Sequence, residues 1–201
     1  MNLGGSNWPI PPDRVPDAPV DLPPSRGERT VVLGGGCFWC TEAVFLGLDG
    51  VTGVTSGYAG GSAETADYRS VSSGDTGHAE AIRVAYDPAR VSYGQLLKVF
   101  FTVAHDPTHH NRQGNDWGTQ YRSVIFYADE AERDAAQAYV DLLSSSNVFG
   151  RRVWTTVEPL DGFYEAEAYH QDYAARNPDA PYVVGVAQPK VEKRRMWFGE
   201  G

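Results

Sequence analysis

From Arg29 onward, short apolar runs alternate with stretches in which apolar residues recur every three or four positions. "TVVL" (residues 30–33) is a continuous apolar run and predicts a short buried strand, and "CFWCTEAVFLGLDG" predicts a helix closed by glycine. "GVTSGYAGG" reads as a strand or as a loop ending in a turn. In "AEAIRVAYDP" the alternation is strict. Glu80, Ile82, Val84 and Tyr86 share one face, Ala81, Arg83 and Ala85 the other, which predicts a strand with Glu80 on its core-facing side. "SYGQLLKVFFTVA" opens on a capping box at Ser92 and Gln95, ahead of a helix. "YRSVIFYAD" predicts a strand. "DEAERDAAQAYVDLL", with Asp129 as cap and Glu132 three residues on, predicts a helix. "RRVWTTVEPL" reads as a further strand, and "GFYEAEAYHQDYAARNP" as a helix stopped before Pro178. Strands interleaved with helices in this way indicate a two-layer α/β or α+β domain.

The two ends lack this order. Seven of the 13 prolines lie in residues 9–24, so residues 1–28 are expected to form an extended, proline-rich N-terminal arm outside the folded core. Residues 179–201 show weak periodicity and are expected to wrap the domain as a tail. The segment between them, 29–178, is expected to be the working domain, and a 201-residue chain has room for one such core.

Charge narrows the class. Seventeen basic against 26 acidic residues leave a net charge of −9, the wrong sign for neutralising phosphates or an anionic membrane surface, so no nucleic-acid or membrane partner is expected. No apolar run approaches the ~18 residues of a spanning helix. The first residues lack the basic start and apolar stretch of a secretory signal. The chain has two cysteines, too few for a disulfide scaffold, and a reducing, cytoplasmic location is expected.

Both cysteines fall in "VVLGGGCFWCTEAVF". Cys37 follows Gly34, Gly35 and Gly36 at a strand–helix junction. Unpaired N–H groups at a helix start stabilise anions, which predicts a depressed pKa and a nucleophilic thiolate. Cys40, three residues on, lies within reach of it for a disulfide after a modest backbone adjustment. The residue types alone leave four readings open: a nucleophile with its partner, a thioredoxin-like pair acting on protein disulfides, a zinc clip, or two small buried residues. His109 and His110 are the available extra zinc ligands, but they are adjacent, not spaced as zinc ligands usually are. Glu80 is either a desolvated carboxylic acid with a raised pKa, suited to general acid work, or a solvated residue at a strand edge. "HDPTHHNRQGNDWGTQYRS" supplies Asp116 and Tyr121 as hydrogen-bonding groups, or is an ordinary surface loop. His170 falls on the last predicted helix, as a catalyst or as a surface or capping histidine.

Taken together, "GGCFWC", "GYAGG", "YRSVSSGDTGHAEAIRVAYDP", "HDPTHHNRQGNDWGTQYRSVIFY" and "FYEAEAYHQDYAARNP" resemble, in order, the A-type peptide methionine sulfoxide reductases (MsrA), over most of residues 29–178. The resemblance implies an α+β fold: a two-layer sandwich around a mixed sheet with a ferredoxin-like core. It implies that Cys37 attacks the sulfoxide sulfur and that Phe38 and Trp39 hold the substrate methyl group. Glu80 gives a proton to the sulfoxide oxygen, Tyr68 and Tyr121 hydrogen-bond to it, and Asp116 and His170 shape the site. It further implies the S-epimer of methionine sulfoxide, free or protein-bound, as substrate. A sulfenic acid on Cys37 condenses to a disulfide that thioredoxin or a similar dithiol reduces. No bound cofactor or metal is expected, and the enzyme is expected to be a monomer. Two departures stand out. Many members have glycine in place of Cys40 and a recycling cysteine near the C-terminus, where "PYVVGVAQPKVEKRRMWFGEG" has none, so Cys40 is expected to be the resolving thiol. "ETADYRSV" replaces the usual Asn-Pro-Thr-Tyr stretch, so the loop ahead of Tyr68 is expected to differ.

Overall fold

The structure, a computed structural model, describes residues 6–199. The apolar run at residues 30–33 lies in β1 (Arg29–Gly35), which turns at Gly36 into α1 (Phe38–Phe45). There follow β2 (Val51–Ala59), the single-turn α2 (Tyr68–Val71), β3 (Ala79–Tyr86) and α3 (Tyr93–Val99), which continues as a π turn over Phe100–Ala104. A small hairpin of β4 (Arg112–Gln113) and β5 (Asp116–Trp117) leads to β6 (Ser123–Tyr127) and α4 (Glu130–Ser146). β7 (Thr156–Pro159), β8 (Phe163–Glu165), α5 (Tyr173–Arg176) and α6 (Gln188–Phe198) complete the chain.

Six strands form one sheet in the order β7-β6-β1-β3-β2-β8, antiparallel throughout except for the parallel β6–β7 pair. Its inner four strands, with α1 and α3 as crossovers, follow the βαββαβ order of a ferredoxin-like core. The alternation in β3 decides which face is which. Ile82, Val84 and Tyr86 join Leu33, Leu96, Phe100 and Tyr139 in the main core beneath the helices. Ala81 packs on the other face with Val32, Val124 and Phe126. Both helix caps form as expected. The Ser92 hydroxyl accepts from Gln95 N at 3.2 Å while the Gln95 side chain accepts from Ser92 N at 2.8 Å, and Asp129 accepts from Glu132 N at 2.9 Å.

Four segments differ from their sequence expectation. The first is the stretch expected as a helix before Pro178. Its start is strand β8, which pairs with β2, and only its last turn is helical. Tertiary hydrogen bonding wins there: the Gln171 side-chain amide accepts from Ser56 N and donates to Ser56 O, both at 2.9 Å, extending the ladder of β2 in place of a strand. Second, "RRVWTTVEPL" enters the sheet only at Thr156, because Arg152 and His110 pack on the Trp154 ring and Trp154 N bonds to Pro107 O at 2.8 Å.

Third, the described part of the arm is extended but is bound into the core. Ile10 and Val15 are buried in the main cluster, Tyr139 Oη donates to Pro16 O at 2.8 Å, and Asp21 accepts from Gly94 N at 3.0 Å at the start of α3. Fourth, the described part of the tail is helical. Arg194, buried on α6, donates to Gly47 O at 2.8 Å and so holds α6 against the end of α1. An arginine makes that contact, so no apolar stripe announces it.

Candidate active site

Gly36 sets the geometry. Its φ of +87° is a left-handed turn, and a Cβ there would lie 2.5 Å from Gln113 Cγ. The chain therefore turns tightly against the β4 hairpin and delivers Cys37 to the cap position of α1. The Cys37 carbonyl accepts from Cys40 N at 3.1 Å, so the two thiols sit on one helical turn. Both are free: Cys37 is partly exposed and Cys40 is buried. Below the turn, buried His105 packs where a side chain on Gly35 would go. Its ring bonds to Phe100 O at 3.0 Å and Ser123 Oγ at 2.6 Å, and burial drops its pKa to about 3, so it stays neutral.

A cavity of about 200 Å³ opens over Cys37, sized for one side chain, with Phe38, Trp39 and Glu80 in its wall. Tyr68, Tyr121, Asp116 and Tyr182 complete it. Among the described residues, four larger cavities, including one of about 410 Å³ between α1 and α6, have no cysteine in their walls. Glu80 is buried, as the alternation of β3 predicts, and accepts from Phe38 N at 3.0 Å. Burial dominates its titration and pushes its pKa up to about 8; the Phe38 N–H opposes the shift, and Asp116 and Cys40 add to it. At neutral pH it is a carboxylic acid.

The expected depression of the Cys37 pKa is not found. Burial, the thiol of Cys40 and the Glu80 carboxyl raise it well above the ordinary thiol value, against a single lowering contact from Trp39 N–H. Burial is the main reason, and the helix start does little to offset it: its first N–H, that of Phe38, is taken by Glu80, which leaves the thiol the Trp39 N–H. Cys40 moves the other way, to about 7, through its contact with Cys37, opposed by burial and assisted by Lys190.

Tyr68 begins α2, whose Asp67 cap accepts from Ser70 N at 3.0 Å, so the divergent "ETADYRSV" loop still delivers this phenol to the cavity. Burial raises the pKa of Tyr68 and Tyr121, and Glu80 adds to it, which keeps both as hydrogen-bond donors. His170 is buried behind the cavity wall in a turn before α5, where its Nδ1 accepts from the Trp39 indole at 3.1 Å. That bond makes it the neutral tautomer with the proton on Nε2, and burial lowers its pKa, opposed by Glu167. Tyr173 stacks on the Trp39 ring with centroids 3.7 Å apart. Glu167 accepts from Tyr68 N and Tyr58 Oη, both at 2.9 Å.

His109 and His110 line a separate cavity with Arg152 and Trp154 and do not approach the cysteines. Among the described residues no three His, Cys, Asp or Glu side chains gather as a metal site. Sequence reasoning missed Tyr182, Tyr173 and Glu167. Tyr173 and Glu167 fall in a matched segment without a readable role. Tyr182 lies in the tail, where no periodicity or motif marks it.

Residues 29–200 match the family model described as peptide methionine sulfoxide reductase. The chain is 49% identical to MsrA 2 of Synechocystis sp. over 190 residues, covering 92% of this chain and 89% of that protein. Among solved structures, methionine sulfoxide reductase A of Corynebacterium diphtheriae is 35% identical with a TM-score of 0.70, covering 80% of this chain and 81% of that one. Reduced Mxr1 of Saccharomyces cerevisiae is 31% identical, also with a TM-score of 0.70, covering 81% and 92%.

Proposed function

The chain belongs to the peptide methionine sulfoxide reductases, and from that premise we propose how its side chains divide the reaction. The enzyme reduces methionine sulfoxide to methionine. The observation that carries the assignment of roles is the shared cavity in which Cys37 faces a buried carboxylic acid, Glu80, and two phenols, Tyr68 and Tyr121.

A sulfoxide sulfur becomes electrophilic when its oxygen is protonated or strongly hydrogen-bonded. Glu80, protonated below about pH 8, supplies that proton while Tyr68 and Tyr121 hold the oxygen. Phe38 and Trp39 hold the methyl group and select the S-epimer. The Cys37 sulfur attacks, methionine departs, and Cys37 is left as a sulfenic acid. One proton, from Glu80, ends on the sulfenic oxygen, and the proton of the Cys37 thiol restores Glu80. His170, bonded to the Trp39 indole, and Tyr173, stacked on its ring, fix Trp39 and keep the methyl pocket in shape.

Cys40 then condenses with the sulfenic acid to give a Cys37–Cys40 disulfide, which an external dithiol reduces by exchange. Mxr1 of Saccharomyces cerevisiae has been solved in complex with Trx2, and a thioredoxin-type protein is the reductant we assign here. No step calls for a bound cofactor or metal. The reading takes free or protein-bound sulfoxide as substrate and a monomer in the cytoplasm as the working form. Among the described residues no helix is long and apolar enough to cross a membrane. Residues 29–178 carry the reactive groups except for Tyr182, with the arm and tail as supports. Reduction of S-methionine sulfoxide with dithiothreitol tests the assignment. Wild type is expected to turn over and Cys37→Ser to be inactive; activity persisting in Cys37→Ser refutes the mechanism.

A further inference from the structure

Cys40 is sealed from solvent under the C-terminal segment, packed against Val183 and Ala187. Among the described residues its thiol is hydrogen-bonded to two side chains. One is Cys37. The other is Tyr182, whose Oη accepts from the Cys40 Sγ–H at 3.7 Å. The single Tyr182 proton is committed elsewhere, donated to Asp116 Oδ2 at 2.5 Å. A thiol, a phenol and a carboxylate thus form a chain that starts at the buried sulfur and ends at Asp116 in the cavity wall. The common member of the two bonds is Tyr182.

We propose that Tyr182, backed by Asp116, holds the Cys40 thiol beside Cys37 and conducts its proton away during disulfide closure. This rests on the reading of Cys37 as nucleophile and Cys40 as resolving thiol. In the step, the Cys40 sulfur attacks the Cys37 sulfur of the sulfenic acid, the S–S bond forms and the Cys37 S–O bond breaks. The Cys40 proton passes to the Tyr182 oxygen as the Tyr182 proton passes to the Asp116 carboxylate. Asp116 returns it to the departing hydroxide in the cavity, giving water. Thiol plus sulfenic acid becomes disulfide plus water; the Cys40 sulfur is oxidised, the Cys37 sulfur is reduced, and no outside reagent enters. Tyr182 remains a phenol throughout the resting state, because burial and the neighbouring thiols and Asp116 push its pKa far above the ordinary value.

The titratable groups facing Cys40 are Cys37 and Glu80 from the core, Asp116 from the β4–β5 hairpin, and Tyr182 and Lys190 from the C-terminal segment. With Tyr182 in place, the thiol always has an acceptor, so closure is expected to vary little with pH. Without it, Cys40 must ionise unaided.

Rapid-quench experiments with one equivalent of methionine sulfoxide test this in wild type, Tyr182→Phe and Asp116→Asn. Methionine release and the Cys37 sulfenic acid, trapped with dimedone, are followed separately. In Tyr182→Phe the sulfenic acid is expected to persist at least about tenfold longer, relative to any change in the methionine burst. Its decay should then accelerate roughly tenfold per pH unit below the thiol pKa, while the wild-type decay stays nearly flat. Asp116→Asn should show the same pH slope to a smaller degree. A Tyr182→Phe protein that closes its disulfide as fast as wild type overturns the proposal. So does one that slows burst and closure in equal proportion with an unchanged pH slope, which is what a wall residue would do. A wild type without a methionine burst, or a Cys40→Ser variant that still closes an intramolecular disulfide, sinks the underlying reading and the proposal with it.

Discussion

Glu80 and Cys37 meet where one backbone N–H has to choose between them, and the carboxyl takes it. Burial keeps the acid neutral in spite of that bond and leaves the thiol only the Trp39 N–H in its support, so proton delivery and sulfur attack must be coupled. Activity should be level below about pH 8 and fall as Glu80 ionises above it; a profile of kcat/KM against pH checks this. Glu80→Gln should lose at least about 100-fold in kcat/KM, the lower end of the usual range for removing a general acid. Its stability should move oppositely. The carboxyl has a pKa of about 8 when folded against 4.5 ordinarily, so its contribution is fully present below pH 4.5 and is lost as pH rises through 8. Thermal melts should therefore find Glu80→Gln more stable than wild type at pH 9, an advantage absent at pH 4. The position of Glu80 on the core-facing side is legible from the alternation of four residues along β3, whereas its acidity is not, because a solvated strand edge fits the same pattern. The titration of Cys37 is not legible either, because it depends on how deeply the fold buries the thiol and on Cys40 and Glu80 beside it, the latter 42 residues away along the chain from the Phe38 N–H it holds.

The strand-to-helix junction of β1 and α1 is the element on which the reaction stands. Gly36→Ala should be strongly damaging. It forces a Cβ onto a φ of +87° and onto the Gln113 side chain, displacing Cys37. A loss of at least about 1–3 kcal/mol is expected, read from denaturant unfolding, together with a fall in kcat of tenfold or more. The glycines around this turn are visible in the sequence; the partner that fills the space, Gln113, is not. Periodicity served well wherever burial follows it, as in β3, α3 and α4. It failed for 162–178, where the apolar and aromatic residues follow no single face. There Glu167 and Gln171 fasten the segment by polar contacts to Tyr68, Tyr58 and the edge of β2. Polar fastening leaves no hydrophobic period to read.

Across the whole molecule, the ends of the chain act as parts of the core. Proline content identifies the arm as extended, but only the fold shows that Ile10 and Val15 fill the main cluster. Ile10→Ala should cost about 2–5 kcal/mol of stability while leaving kcat/KM of the folded enzyme unchanged, as urea titration and steady-state assay at low denaturant would show. The tail brings Tyr182 into the cavity and covers Cys40, so both thiols of the proposed cycle share one helical turn under a fixed roof. Such a cycle needs no segment to travel. An enzyme of this build should keep working when trapped in a rigid silica gel and fed a small dithiol, conditions that arrest any relative whose recycling thiol must swing in from a mobile end.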